Sequence, residues 1–298
     1  MTMLIYAALS IYVLAIGLSI LLACAAAFWK PSRQTCADLP PLEGVTVVVP
    51  AMGSHVRLLR CLLGLARASA YRLEKVVVVL QSAPPQAPSE IIAHWKGNCL
   101  LQVVDMGANA GKALAITRGL REVLTEWVAL VDSDVEVEPD FLDLLVSQAH
   151  LADAAYGVIA SAGTGRRVAL DAIVRADKAV SHGVWRLSRL ALGLGPNIPG
   201  QCYVVRRSHL EEIYNGTFGH LDDLCVSLML LAHGTKLAFV PAVVASEEGR
   251  RSWWGLLIQR ARWTIGLLQA ASVVLTTKPF SARSVSYTHL TLPTNREV

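Results

Sequence analysis

Apolar positions along this chain fall into two rhythms. Short unbroken runs of β-branched residues alternate with stretches whose apolar residues recur three and four apart. Val45–Val49 is one such run, ending at Pro50, the pattern of a strand buried on both faces. Leu58, Leu59, Leu62, Leu63 and Ala66 follow at helical spacing. Val76–Leu80 reads as a second buried strand, closed by Ala83-Pro84-Pro85, and Leu100–Val104 as a third. A helix is predicted from about Lys112 to Leu124, with Ile116, Leu120, Val123 and Leu124 on one face. Trp127–Val131 makes a fourth strand, followed by a turn and a helix over Asp140–Leu151.

Beyond that point the pattern is less regular. Arg166 to Leu194 reads as helical, Gln201–Arg206 as a strand, Asp223–His233 as a helix, Leu237–Val240 as a strand and Trp253 to Gln269 as helical. Alternating strands and helices imply an α/β fold with a doubly wound, mostly parallel sheet and right-handed crossovers. Such sheets bind ligands beyond the carboxyl ends of their strands. Chemistry is therefore expected just after Val49, Leu80, Val104 and Val131.

The first 30 residues have a different character. Met3 to Trp29 carries no charge and is long enough for a transmembrane helix. A cleaved leader fits less well, because no Lys or Arg precedes the run and its apolar length exceeds a signal core. Lys30 and Arg33 follow directly, which places the bulk of the chain on the cytoplasmic side of the cell membrane. The organisation read from the sequence is a membrane anchor over 1–30, a linker over 31–44 and an α/β domain over 45–252. An amphipathic interfacial helix and the start of a truncated membrane region occupy 253–284. The remainder, 285–298, resembles a reading frame through a sequencing adapter rather than native protein.

Composition sharpens this picture only slightly. Of 298 residues, 53% are hydrophobic, which suits a globular domain with membrane elements attached. A net charge of +4 is too small and dispersed to argue for nucleic acid. The six cysteines lack CxxC pairs and regular spacing, so free thiols in a reducing compartment are expected. There is no GxSxG, no HExxH and no ligand spacing among the eight His, which sets hydrolase readings aside.

Four segments carry candidate chemistry. Asp132-Ser133-Asp134 follows the fourth strand; carboxylates at i and i+2 on extended chain point the same way and can share a hard divalent cation. The alternative is a solvated acidic turn. Gly107-Ala108-Asn109-Ala110-Gly111-Lys112 precedes a helix start, where backbone N–H groups attract anions. It is not a P-loop, since the spacing is one residue short and Ala113 replaces the Ser or Thr. A loop beside a diphosphate and a surface turn both remain open. Asp222-Asp223 opens a helix, either as caps or as carboxylates able to take a proton from an acceptor hydroxyl. Gln259-Arg260-Ala261-Arg262-Trp263 lies in a Trp-rich amphipathic helix, read either as an interfacial element or as a platform in which Gln259 and Arg262 flank a diphosphate and Trp263 an acceptor.

Taken in order, these segments resemble membrane-bound family 2 glycosyltransferases of the GT-A fold, the group that includes cellulose and hyaluronan synthases. The resemblance runs from about Val45 to Gly266. It includes Val47-Val48-Val49-Pro50-Ala51, Asn109-Ala110-Gly111-Lys112, Val131-Asp132-Ser133-Asp134, Asp222-Asp223-Leu224 and Gln259-x-x-Arg262-Trp263. It implies that Asp134, with Asp132, holds Mg²⁺ or Mn²⁺, and that Asp132, Lys112, Gln259 and Arg262 bind a nucleotide diphosphate sugar, UDP-linked by expectation. Asp223 becomes the general base, Asp222 takes a place usually held by Glu, and Trp263 with Asp222 meets a lipid or glycan acceptor. Inverting single displacement at the cytoplasmic membrane face follows. Two positions depart from the pattern: Met52-Gly53-Ser54 stand where Asn or acidic residues are usual, and Gln81-Ser82 where an Asp usually helps hold the nucleoside. The second departure keeps open the alternative of a catalytically impaired relative acting as a membrane-bound assembly subunit.

Overall fold

The computed structural model describes residues 44–53, 55–68, 72–163, 165, 168–181, 186, 198–214, 223–249, 252–261 and 265. The expected membrane anchor, most of the linker and the adapter-like tail lie outside the described residues. So do Asp222, Arg262 and Trp263. Among the described residues no helix is long and apolar enough to cross a membrane.

Eight strands form one sheet: β1 (Val45–Met52), β2 (Leu73–Gln81), β3 (Leu100–Asp105), β4 (Trp127–Val131), β5 (Val135–Val137), β6 (Ala154–Ser161), β7 (Cys202–Arg206) and β8 (Leu237–Glu247). Their order is β3-β2-β1-β4-β7-β6-β8-β5. β3, β2, β1 and β4 run parallel. β7 opposes both β4 and β6, and β6 runs parallel to β8. Only three residues separate β4 from β5, yet β5 pairs antiparallel with β8 at the far margin of the sheet. The mostly parallel sheet expected from the sequence is thus present, with two strands reversed.

The helices are α1 (His55–Arg67), α2 (Ala87–His94), α3 (Lys112–Leu120), α4 (Phe141–Ala149), α5 (Val168–Lys178), α6 (Arg207–Tyr214) and α7 (Asp223–Ala232), with α8 over residues 253–261. They cover both sheet faces, which is why strands such as β1, β2 and β4 read as near-continuous apolar and β-branched runs. Val45, Val47 and Val49 point to the layer of α1, α2 and α4, against Leu58, Leu65, Ile91 and Phe141. Val48, Val77 and Val79 point the other way, against Ile116 of α3, Leu210 of α6 and Leu230 of α7. Each side chain so buried contributes roughly 1.5–3 kcal/mol before entropy is counted.

Several boundaries differ from expectation. α3 stops at Leu120, and Leu124, predicted on its buried face, is 87% exposed. The chain turns there through hydrogen bonds from the Glu122 and Val123 amides to Gly119 and Leu120 carbonyls. Leu63 of α1 is also exposed. β8 continues past Pro241, where the strand was expected to end, because the β6–β8 register is irregular between Tyr156 and Ile159 and absorbs the proline. β5, β6, α2 and α6 were not anticipated. Within the expected helix over 166–194, the described helical element is α5.

Candidate functional site

Because β1 to β4 run parallel, their carboxyl ends share one rim of the sheet. A cavity of about 290 Å³ opens there. Pro50, Ala51 and Met52 line it from β1, Gln81 from β2, Lys112 from the loop after β3, and Asp132, Ser133 and Asp134 from the turn after β4. All four places where chemistry was expected contribute, since the loop after β3 brings Asn109, Gly111 and Lys112.

Asp132 is the most constrained of these groups. Its backbone N–H donates to the Gln201 carbonyl at 2.8 Å, and its carbonyl accepts from Val135 N–H at 3.1 Å, which fixes the turn. Oδ1 forms an ion pair with Lys112 Nζ, and Lys112 also donates to the Gly200 carbonyl at 3.3 Å. The Asp132 carboxyl is pushed up to about 7. Burial is the main cause, opposed by the Lys112 ammonium and reinforced by the carboxylates of Asp134 and Glu247. The same negative field reaches the thiols below. Burial pushes Cys61 well above the ordinary thiol range, with Asp134 adding to it, and Cys202 is raised by burial with Asp132 adding.

The loop before α3 is built by its own side chains. Asp105 Oδ1 accepts from Gly107 N–H at 2.9 Å, and Asn109 Oδ1 from Gly111 N–H at 3.1 Å. Gly111, at φ +84, is the residue before α3; an added Cβ there would meet nothing within 4 Å, so glycine is required by the backbone angle alone. Gln81, only 3% exposed, accepts from Ala110 N–H through Oε1 at 2.9 Å. Residues 107–109 are exposed, and Asn109, Gly111 and Lys112 of this segment line the cavity.

The opposite wall was not foreseen. Glu247, the last residue of β8, accepts from Gln201 Nε2 and pairs with Lys178 Nζ at the end of α5. Burial pulls the Lys178 ammonium below its ordinary range, against the stabilising pull of Glu247. Asp177 accepts from Arg260 Nη2 at 2.5 Å, tying α5 to α8. All of these line the cavity. Glu247 lies beyond a proline and Lys178 ends an amphipathic helix, so local pattern marks neither. The nearest signal was the run Ser246-Glu247-Glu248 after a strand.

Of the predicted site residues, Asp132, Asp134, Lys112 and Gln259 meet in this cavity, with Gln259 buried on α8. Asp223 is the first residue of α7, and the disposition of its side chain lies outside the described residues. α7 is tied toward the rim one turn later, where Ser227 Oγ accepts from Ile198 N–H at 3.2 Å, three residues before Gln201. Among the described residues no cluster of three or more His, Cys, Asp or Glu could enclose a metal by itself. Two carboxylates on one turn suit a cation that keeps phosphate and water as its other ligands. Asp132 and Asp134 supply such a pair, so the donor set fits Mg²⁺ or Mn²⁺.

Residues 40–266 match the family described as "Glycosyltransferase like family 2". The chain is similar to poly-beta-1,6-N-acetyl-D-glucosamine synthase of Staphylococcus aureus (strain COL), 24% identical over 238 residues, covering 79% of this chain and 57% of that protein. It spans about half the length of the curated relatives it matches, 47% for the Staphylococcus epidermidis synthase. Its fold is similar to a mannosyltransferase from Pyrobaculum calidifontis solved with GDP-Man and Mn²⁺, with TM-score 0.72, 20% identity, and coverage of 95% of this chain and 81% of that one. It is also similar to residues 1–349 of S. aureus TarS solved with UDP-GlcNAc, with TM-score 0.53, 17% identity, and coverage of 82% and 70%.

Proposed function

We propose, on the premise that the chain belongs to glycosyltransferase-like family 2, that it transfers an N-acetylhexosamine from a UDP-sugar to an acceptor hydroxyl with inversion. The observation that carries this reading is the convergence of Asp132, Asp134 and Lys112 on one rim cavity. The names of similar proteins, which include UDP-GlcNAc as a ligand and poly-N-acetylglucosamine as a product, support the choice of donor. Asp134 and Asp132 would hold Mg²⁺ or Mn²⁺, which would supply positive charge to the departing diphosphate. Lys112, at the head of α3, binds and orients that diphosphate. Gln259 and Arg262 also bind the nucleotide sugar, and Trp263 and Asp222 meet the acceptor. Asp223 takes the proton of the attacking hydroxyl. The acceptor is a lipid or glycan, and the reaction runs at the cytoplasmic face of the cell membrane, to which residues 1–30 anchor the chain.

The test is Asp223→Asn in membrane-reconstituted full-length protein, assayed with a panel of radiolabelled nucleotide sugars. Transfer should vanish while donor binding persists. Full activity in the variant would remove Asp223 from its role. Gln81 in place of the usual acid favours a second reading, an impaired relative that binds without turnover. Tight donor binding with no product from the unaltered protein, across the whole panel, would select it.

A further inference from the structure

Glu247 is joined to both ends of the turn that carries Asp132 and Asp134. Its backbone, at the end of β8, pairs with Val135, the residue directly after Asp134. Its side chain reaches the other end. Glu247 Oε2 accepts from Gln201 Nε2, and the Gln201 carbonyl accepts from Asp132 N–H at 2.8 Å. One residue of β8 thus holds the turn twice, directly through the strand and indirectly through Gln201. Behind it, Glu247 Oε1 is paired with Lys178 Nζ of α5.

These three side chains are shielded from water. Gln201 is 2% exposed and Lys178 4%, and the Glu247 side chain 11%. A buried ion pair brings little or no net stability, because taking two charges out of water offsets their attraction. Their place at the cavity wall calls for another explanation, and the contacts supply one: orientation. A carboxylate only accepts, so the Gln201 atom facing Glu247 must be the amide nitrogen, and that side chain has one orientation. Gln201 follows Gly200, whose carbonyl accepts from Lys112 Nζ at 3.3 Å. Anchoring Gln201 therefore steadies the segment that receives both the Asp132 amide and the Lys112 ammonium.

We propose that Glu247 is a positioning residue for the cation site: through Gln201 it locks the turn so that Asp132 and Asp134 are presented together, and Lys178 compensates its buried charge. The inference rests on the reading of Asp132 and Asp134 as the carboxylates for a divalent cation, and adds to that site a residue that does not itself touch the ion. Breaking the link at Gln201 leaves the pairing of Val135 with β8 intact and loosens the Asp132 end alone. Partners that orient metal-ligating groups commonly matter by about 10–100-fold in metal affinity.

Mn²⁺ binding to the full-length reconstituted protein in the presence of UDP, followed by electron paramagnetic resonance, tests it with Gln201→Met, Glu247→Met and Glu247→Gln. Gln201→Met leaves every charge in place. The two changes at 247 remove the same charge, and only Gln keeps an oxygen for Gln201 Nε2. Gln201→Met should weaken Mn²⁺ binding about tenfold and Glu247→Met at least as much, while Glu247→Gln should recover most of the loss. The double Met variant should bind no more weakly than Glu247→Met, since both changes cut one link. The signal of bound Mn²⁺ should broaden as its ligand geometry spreads, which a loss of stability alone does not produce in folded protein. Unchanged affinity in folded Gln201→Met, or equal losses in the two 247 variants, would overturn the role of Glu247; Gln201→Met decides the matter if Glu247→Met does not fold. Failure of the intact wild type to bind Mn²⁺ with UDP would instead overturn the cation reading on which the inference rests.

Discussion

Gly119 is the point where α3 touches the sheet most closely, and its replacement by alanine has a calculable effect. A Cβ there would lie 2.5 Å from Val48 Cγ1 and 3.1 Å from Val79 Cγ2. Unstrained carbon contacts need about 3.5–4.0 Å, so roughly 1 Å of separation must be found. Val48 and Val79 are fully buried, and β-branched side chains are stiff at χ1, so neither gives way easily. Over-packing of this kind costs about 1–3 kcal/mol. Alanine returns at most about 1 kcal/mol in helix propensity. The net expectation is a destabilisation of about 1 kcal/mol, a fall in Tm of about 2–4 °C for a domain of this size. α3 carries Lys112 at its first turn, so donor binding should weaken as well. Thermal unfolding of Gly119→Ala, Val48→Ala and the double variant supplies the measurement. The two changes should couple favourably by about 1 kcal/mol or more, since Val48→Ala removes the colliding methyl. A raised Tm for Gly119→Ala, or additivity of the pair within about 0.5 kcal/mol, would refute the close-approach account.

Lys112→Met removes the partner of Asp132 and a cation facing the cavity, and should weaken UDP binding by about 10–100-fold; calorimetric titration that shows no change would count against its role. Chelation with EDTA should stop transfer and Mn²⁺ restore it, and Asp134→Asn should abolish that restoration, as followed by release of UDP. Cys61 and Cys202 are buried with raised thiol pKa values, so neither should react with Ellman's reagent at pH 8 until the protein unfolds. The sign of their linkage is fixed: their stabilising effect is complete below the unfolded thiol pKa of about 8.5 and is lost as pH rises above it, by about 1.4 kcal/mol per pH unit for each thiol. Urea midpoints across pH 8–10 should fall in the wild type, and less steeply in Cys202→Ala.

The four parallel strands β1 to β4 were legible because residues buried on both faces are almost all apolar or β-branched, as in Val45–Val49, where Thr46 pairs with Thr125, Val76–Leu80 and Trp127–Val131. β5 and β6 were harder to see. β6 reads Ala-Ala-Tyr-Gly-Val-Ile-Ala-Ser, with little β-branching, and its Gly157 suggests a break. That glycine is there for tertiary reasons, since a Cβ would lie 2.4 Å from Val244 Cγ1 of β8. β5 has only three residues, too few for any period. In the site, Asp132, Asp134 and Lys112 announced themselves by following strands. Glu247, Lys178 and Asp177 did not, because their importance comes from the contact of α5, β8 and α8, segments far apart in sequence. Gln81 was noticed only as a missing acid, and its hold on Ala110 belongs to the folded chain.

The short connection between β4 and β5 has a geometric consequence for the whole sheet. Four strand spacings separate these two in the sheet order, about 19 Å if the sheet were flat. Four residue steps from Val131 to Val135 reach at most about 14 Å fully stretched. The sheet must therefore roll until its last strand swings back toward its fourth, and the irregular pairing of β6 with β8 is where that bending is absorbed. Asp132 and Asp134 ride on a tight turn closed by the Val135 N–H to Asp132 carbonyl hydrogen bond and held at both ends by paired strands. Their spacing is set by that turn, before any cation arrives.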